Sequence, residues 1–535
     1  MASAKGEGRA TRRSSFVPWW NPHAKSPLRR MPGVIVIAIA IADSLRFADP
    51  DLWGHITFGR AVLALGHLTL RDPYSYSAAN HLWLNHEWLS EMIYALAFNA
   101  FGVFGLKLIK LCLAAITIVS VAASESEAGA PELAQLFVLL LTATMIAPAM
   151  QFRPQTFTFA LFSILMLIFA RDTFRRGGGF WIAIPILMLW ANLHGGFIVG
   201  IAALGTYACA SIACDWVHGD GLRRGVSLGA IAISAALATL LTPYGVGTWI
   251  AVAHALRNPY TRIVVADWQP LFYALADSVS QSTGTLTLIY DALPVGLMVT
   301  LAIAVAISRD FEDLPILAVA GVMSGAAIIA MRNVPIAVIA IASPLARHGA
   351  IAAARLRVSV RDGAVSEEPR ARIITQLLFV LVACALLSGT GFFSKRLTAH
   401  EKYPAGAVAF MRSHHLHGYI LDNFLWGEYL IWHMSPGSKV FIDGRYDTVY
   451  PQTVLRAFIL FHFDLSGADA ILTRWPHDYI IVPPDDPANR VIARNPEWKL
   501  VYRDRDTLLY ARAGSIATKI AGVPIEGVNP PTAFP

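Results

Sequence analysis

The chain has 535 residues, 43 basic and 36 acidic, so only 15% are charged, against about 25% in a soluble globular domain. With 55% hydrophobic residues and a mean hydropathy of +0.51, a soluble globule, a disordered chain, a coiled coil and a disulfide scaffold are excluded. The net charge of +7 does not point to nucleic acid, because the basic residues cluster between apolar runs in the positive-inside pattern.

Residues 1–33 read as a basic cytoplasmic tail, in which Lys5, Arg9, Arg12, Arg13, Lys25, Arg29 and Arg30 face Glu7 alone. The first apolar run, Val34–Ala42, is short, and Ala40-Ile41-Ala42 looks like a signal-peptidase site. The many later spans favour an uncleaved first span reaching Phe47. Further runs lie near 105–123, 132–147, 155–170, 180–193, 197–216, 225–242, 286–308, 314–330, 334–346 and 373–392. The arginine loops at 171–176, 223–224 and 347–372 all fall inside only if 88–104 does not cross. In that segment Trp88, Leu89, Met92, Ile93, Leu96, Ala97 and Phe101 follow a 3.6-residue period, with Ser90, Glu91 and Asn99 elsewhere. This is the pattern of an amphipathic helix lying in the interface.

The expected architecture is a polytopic α-helical membrane protein of about eleven transmembrane helices over 34–392. It would sit in a bacterial inner membrane, N-terminus in and C-terminus out, with its first periplasmic loop at 49–104. Residues 393–513 read as a periplasmic α/β domain with a largely parallel sheet. Its strands are expected at Tyr419–Leu421, Val440–Ile442 and Tyr479–Val482, with a closing hairpin around Asp504-Arg505-Asp506. Residues 514–535 read as a flexible tail. Cys112, Cys209, Cys214 and Cys384 lie inside apolar runs and offer no disulfide or zinc framework.

The scarce remaining charges gather on the outer side. The first loop opens with Asp49, Asp51 and His55, two carboxylates that suit a base, a metal site or the cap of the following helix. His86, Glu87 and Glu91 follow. The two glutamates are four apart and share a helix face, which suits a metal or a solvated face. Arg153, His194 and Arg332 stand at the outer ends of spans, where three cations at one depth can hold a lipid phosphate or merely snorkel. The long loop after Pro243, with Arg262, Asp267 and Trp268, is a lid candidate.

Together these features resemble the GT-C superfamily of glycosyltransferases, which take sugars from polyprenyl-phosphate carriers. The string Phe47-Ala48-Asp49-Pro50-Asp51-Leu52-Trp53, with His67 beyond it, is similar to the first-loop motif of oligosaccharyltransferase catalytic subunits. Asp49 matches the essential aspartate of that motif. The stretch His86–Phe101 resembles the interfacial segment of protein O-mannosyltransferases. Leu425-Trp426-Gly427-Glu428-Tyr429-Leu430 stands where oligosaccharyltransferases carry WWDYG, and Asp443-Gly444-Arg445 resembles their next acidic loop. WWDYG is not intact, and Arg153 stands where that family carries its second acidic motif, so an Asn sequon and metal dependence are not carried over.

The resemblance implies transfer of a sugar from a polyprenyl-phosphate donor to a lipid, glycan or protein acceptor, with inversion. Asp49, seconded by Asp51, would serve as base. His55, His86, Glu87, Glu91, Arg153, His194 and Arg332 would bind donor. Trp426, Glu428, Tyr429, Asp443 and Arg445 would face the loop from the acceptor side. A divalent cation has room at Asp49 and Glu87, and membrane lipids are the surrounding partners. A transporter or flippase would instead show mid-span charges or an internal repeat. A non-catalytic envelope scaffold would not gather Asp49, His86 and Glu87 in one cleft.

Overall fold

The computed structural model describes residues 47–356 and 396–520, apart from 176, 178, 220–222, 261–262, 264, 281–284 and 400–401, together with Ala533 and Phe534. The basic tail, the first and last expected spans, Cys384 and most of the 347–372 loop lie outside the described residues.

The apolar runs form helices because lipid leaves backbone groups no partners except their own. In chain order these are α1 (Leu52–Leu65), α2 (Trp88–Phe101), α3 (Val103–Glu127), α4 (Glu132–Ile146), α5 (Gln155–Arg175), α6 (Ala183–Leu193), α7 (Phe197–His218), α8 (Arg223–Ala238), α9 (Val246–Arg257), α10 (Leu271–Ser280), α11 (Thr285–Ser308), α12 (Leu314–Ile329) and α13 (Val334–Arg355). Among the described residues six helical stretches are long and apolar enough to cross a membrane: Val103–Glu127, Glu132–Ala149, Gln155–Arg175, Phe197–His218, Asp291–Ser308 and Met331–Arg355. Phe180–Leu193 and α12 are shorter apolar helices.

Ion pairs order one end of this bundle. Arg171 and Arg175 pair with Glu127, Arg224 with Asp172 and Asp215, and Arg347 with Asp310 and Glu312. The turns around 147–154, 194–196 and 331–333 lie at the opposite end. The 14 residues of α2 span about 21 Å, short of the ~30 Å hydrocarbon core. Its polar stripe faces the protein: Ser90, Glu91 and Tyr94 are buried, whereas Leu96 and Phe101 are exposed.

The C-terminal part carries α14 (Ala405–Ser413), α15 (Gly427–Met434), α16 (Gln452–His462), α17 (Ala470–Arg474), α18 (Ala488–Ala493) and α19 (Ile516–Ile520). Strands β1 (Phe47–Ala48), β2 (Leu397–Ala399) and β8 (Ala533–Phe534) form one small sheet. Strands β3 (Tyr419–Leu421), β4 (Lys439–Val440), β5 (Tyr479–Val482), β6 (Trp498–Arg503) and β7 (Leu508–Arg512) form a second, in the order β4-β3-β5-β7-β6. The expected largely parallel sheet is only half parallel: β4, β3 and β5 run together, but the β6–β7 hairpin returns β7 antiparallel beside β5. Within the expected tail 514–535, the described residues include α19 and β8.

The first loop and the C-terminal sheet share a core. Tyr76 N–H donates to the Val440 carbonyl at 3.1 Å and Val440 N–H to the Tyr74 carbonyl at 3.2 Å, so the loop runs on beside β4. Tyr76 stacks on Tyr419 at 4.7 Å. His477 Nε2 lies 2.8 Å from the Ile471 carbonyl, which only accepts, so Nδ1 is the acceptor for Tyr76 O–H at 2.5 Å. Burial lowers the His477 pKa to about 4. The unfolded imidazole titrates near 6.5, so this contribution to stability is complete above that pH and is lost as pH falls toward 4. The thermal midpoint is therefore expected to fall between pH 7 and pH 4.5, and to fall less in His477→Gln.

Candidate active site

Asp49 directly follows β1, whose pairing with β2 fixes its backbone. Its carbonyl accepts Leu52 N–H at 3.0 Å, and its Oδ1 accepts Asp51 N–H at 3.0 Å. Neither aspartate caps α1 through its side chain onto a helical N–H. That role falls to Glu428, whose Oε2 accepts Gly54 N–H at 3.1 Å. Gly54 must lack a side chain, because a methyl there would overlap the Glu428 carboxyl.

The two aspartates do not stand free at the interface, as their position in the sequence suggests. Arg153 Nε lies 2.7 Å from Asp49 Oδ2, Nη2 lies 3.3 Å from Asp51 Oδ2, and Nη1 lies 3.9 Å from Asp267 Oδ2. Burial raises the Asp49 pKa above the usual carboxylate range, with Arg153 pulling the other way. Burial opposes the Arg153 charge, but Asp49 and Asp51 outweigh it, and the guanidinium binds its proton more tightly than usual.

A second polar chain runs beside this group. Trp190 Nε1–H donates to Thr158 Oγ1 at 2.8 Å, so the Thr158 hydroxyl proton is free to go to His194 Nδ1, also 2.8 Å away. Gly196 N–H donates to the same Nδ1 at 3.0 Å. His194 therefore carries its proton on Nε2, 3.5 Å from Glu87 Oε1. Burial, reinforced by Arg332, holds its pKa well below 6.5, so His194 is a neutral N–H donor and not one of three cations. His86 Nε2 approaches the same Glu87 oxygen at 3.7 Å.

His55 and Glu91 lie deeper. His55 Nδ1 is 3.4 Å from Glu91 Oε1, and Asn85 Nδ2 donates to Glu91 Oε2 at 2.5 Å. Burial works against charge on both, raising Glu91 and opposing His55. Against burial, Glu91, Glu87 and Asp51 together favour the charged imidazole at His55, whose pKa is also raised. Donor atoms of His55, Glu87 and Glu91 lie within 4.8 Å of one another, the one such group among the described residues. An imidazole with two carboxylates suits a borderline divalent cation. Glu87 thus groups with His55 and Glu91, whereas Asp49 is held by Arg153.

Arg332 stacks on Trp268, its guanidinium carbon 4.3 Å from the ring centroid, and makes no ion pair among the described residues. Two cavities of about 180 and 170 Å³ share Gln155, Phe159 and Arg332 as walls. The first is closed by Asp267 and Pro294, the second by His86, His194 and Thr448. Ile198, Val199, Val252 and Leu256 give the second an apolar wall.

The C-terminal candidates divide. Trp426 is buried and donates through Nε1 to the Lys402 carbonyl at 2.6 Å. Tyr429 packs against Trp53 and Tyr403. Both are core residues and line neither cavity. Asp443 and Arg445 form a buried hub with Asp72. Glu428 bonds the backbone just beyond the Asp49–Trp53 segment, and burial raises its pKa well above the usual range. A methyl at Gly444 would lie 2.5 Å from Asp51 Oδ1 and 2.8 Å from Glu428 Oε1, so this glycine lets the two carboxyls approach. Asn85, Thr158, Trp190 and Thr448 join the site without a sequence signal, while the Asp267-Trp268 pair in the long outer loop was such a signal.

No family model matches the sequence, and no curated protein matches it. Solved structures do. Oligosaccharyltransferase AglB from Archaeoglobus fulgidus, in complex with an inhibitory peptide and a dolichol-phosphate, is similar over 92% of this chain and 74% of its own, at 12% identity and TM-score 0.53. The same organism's oligosaccharyltransferase tethered to an acceptor peptide is similar over 90% and 74%, at 14% identity and TM-score 0.50. A variant of arabinofuranosyltransferase AftD from Mycobacteria is similar over 91% of this chain and 42% of its own, at 12% identity and TM-score 0.51. The chain therefore shares its fold with these glycosyltransferases, as expected from the Asp49 and Trp426–Tyr429 motifs.

Proposed function

We propose that the protein is a membrane glycosyltransferase that moves a sugar from a polyprenyl-phosphate carrier to an acceptor at the outer face of the membrane. Arg332 is the observation that carries this reading. Arg332 walls two cavities, is half-buried, and makes no ion pair among the described residues, with Asp267 near but unpaired to it; an anion in the cavities would complete its compensation. A phosphate oxygen beside it would gain charge-assisted hydrogen bonds, and His194 Nε2–H adds a neutral donor. The apolar wall at Ile198, Val199, Val252 and Leu256 suits an isoprenoid. The positive-inside rule puts the Arg171, Arg224 and Arg347 end in the cytoplasm and this site on the periplasmic side.

The Asp49–Asp51 pair accepts the acceptor hydroxyl's proton as the new bond forms at the sugar carbon. Arg153 and Arg332 take up charge on the departing phosphate. A single displacement implies inversion, by analogy with inverting glycosidases. A divalent cation would find its ligands at His55, Glu87 and Glu91, where it would add positive charge for binding sugar oxygens. The C-terminal unit, which reaches the site through Glu428 and Thr448, presents the acceptor.

The test is turnover of polyprenyl-phosphate-linked sugar by purified protein in liposomes. Arg332→Ala is expected to slow it by about a hundredfold, the usual scale for one lost charge-stabilising donor. Native-rate turnover by that variant would overturn the assignment. Rapid lipid movement without cleavage would support the transporter instead.

A further inference from the structure

We infer that Arg153 occupies the place of a divalent cation among the carboxylates of the catalytic loop, so that transfer at this centre requires no metal. The inference rests on the glycosyltransferase reading and deepens it. Each of the three guanidinium nitrogens faces a different carboxylate, with Nε toward Asp49, Nη2 toward Asp51 and Nη1 toward Asp267. Two of these acids come from the first loop and the third from the long loop before α10, so separate segments converge on one cation. A hard divalent ion needs several oxygens at 2.0–2.6 Å from a common centre. Here the guanidinium fills that centre.

Charge points the same way. Arg332 is electrostatically close to both Asp267 and Arg153, so two guanidinium charges work against three carboxylates. Arginine stays protonated under all working conditions and matches carboxylate and phosphate in planar geometry. In the displacement, the bond from sugar carbon to phosphate oxygen breaks and the bond to the acceptor oxygen forms. The acceptor proton passes to a carboxylate of the Asp49–Asp51 pair, and the polyprenyl phosphate leaves with the electron pair beside Arg153 and Arg332. No electrons are exchanged and no co-reactant is needed.

The experiment is Mn²⁺ binding to the full-length detergent-purified protein, followed by electron paramagnetic resonance, beside transfer assays in EDTA. The wild type is expected to show no Mn²⁺ site that Asp49→Asn removes, and Glu91→Gln, which lacks the other metal site, is expected to transfer at the same rate with and without EDTA. Arg153→Ala is expected to gain one Mn²⁺ equivalent, lost again in Arg153→Ala/Asp49→Asn. Binding at His55, Glu87 and Glu91 is told apart because Glu91→Gln removes it and Asp49→Asn does not. An Asp49-dependent Mn²⁺ site in the wild type overturns the inference. So does transfer by Glu91→Gln, which lacks the other metal site, if EDTA abolishes it and Mn²⁺ restores it. If Arg153→Ala fails to fold, the wild-type and Asp49→Asn titrations decide alone. Absence of transfer in every condition sinks the glycosyltransferase reading, while the resonance result still judges the metal.

Discussion

Asp49→Asn is expected to lower sugar transfer by about a hundredfold or more, with little change in thermal midpoint. Asparagine keeps the shape and can still accept the Asp51 N–H, but it cannot take a proton, and general-base catalysis contributes roughly 10²–10⁴-fold. The Asp49 side chain is 5% exposed and 2.7 Å from Arg153, whereas that of Asp51 is 26% exposed and 3.3 Å away. Asp51→Asn should therefore cost less, about tenfold, and the double variant should be no worse than a few-fold below Asp49→Asn. Because burial raises the Asp49 pKa, the acid limb of the wild-type pH–rate profile is expected above the range of a free carboxylate, with activity lost as pH falls through it. Measured transfer rates for the three variants, set beside their melting curves, separate chemistry from folding. A native rate in the double variant would remove Asp49 and Asp51 from the mechanism.

The sequence made some of this legible and hid the rest for physical reasons. Apolar runs are read reliably because lipid forces helix formation, and the α3, α5, α7 and α13 helices fall where hydropathy put them. The C-terminal strands and hairpin followed from alternation and turn residues, but strand order is a long-range outcome that local pattern does not encode, which is why β7 came to lie beside β5 unforeseen. At the site, the rarity of charge singled out Asp49, Arg153, His194 and Arg332. Their relation was not legible. Composition cannot say that Arg153 would be spent on Asp49 while Arg332 makes no ion pair among the described residues, or that Thr158 and Trp190 would fix the His194 proton from inside apolar helices. The Trp426–Tyr429 motif shows the converse: a family-like string whose tryptophan and tyrosine are packed into a core, with Glu428 bonding Gly54 N–H at the start of α1.

The largest stability effect is expected at Arg445, which joins the first loop to the C-terminal unit. Its Nε and Nη2 hold Asp443 at 2.8 and 2.7 Å, and Nη1 holds Asp72 at 2.7 Å. Tyr450 O–H donates to the same Asp443 at 2.6 Å, and the Ser75 backbone and hydroxyl donate to Asp72. The guanidinium also lies within 5.2 Å of the ring centroids of Phe58, Tyr74 and Trp83. Arg445→Met would leave two buried carboxylates without their cation, a loss of about 3–5 kcal/mol. Arg445→Lys should recover little, because an ammonium cannot reproduce the paired contacts to Asp443. The triple variant Arg445→Met/Asp72→Asn/Asp443→Asn should be more stable than Arg445→Met alone, since it removes the stranded charges as well. Denaturant melts of the four proteins test this ordering, and equal stability of Arg445→Met and wild type would refute the hub. The same variants bear on function, because Thr448 follows Arg445 by three residues, donates its hydroxyl to the Arg445 carbonyl at 2.6 Å and walls the second cavity. Loosening the hub should therefore raise the KM for donor as well as lower the melting temperature, whereas a defect confined to the C-terminal core would leave KM unchanged.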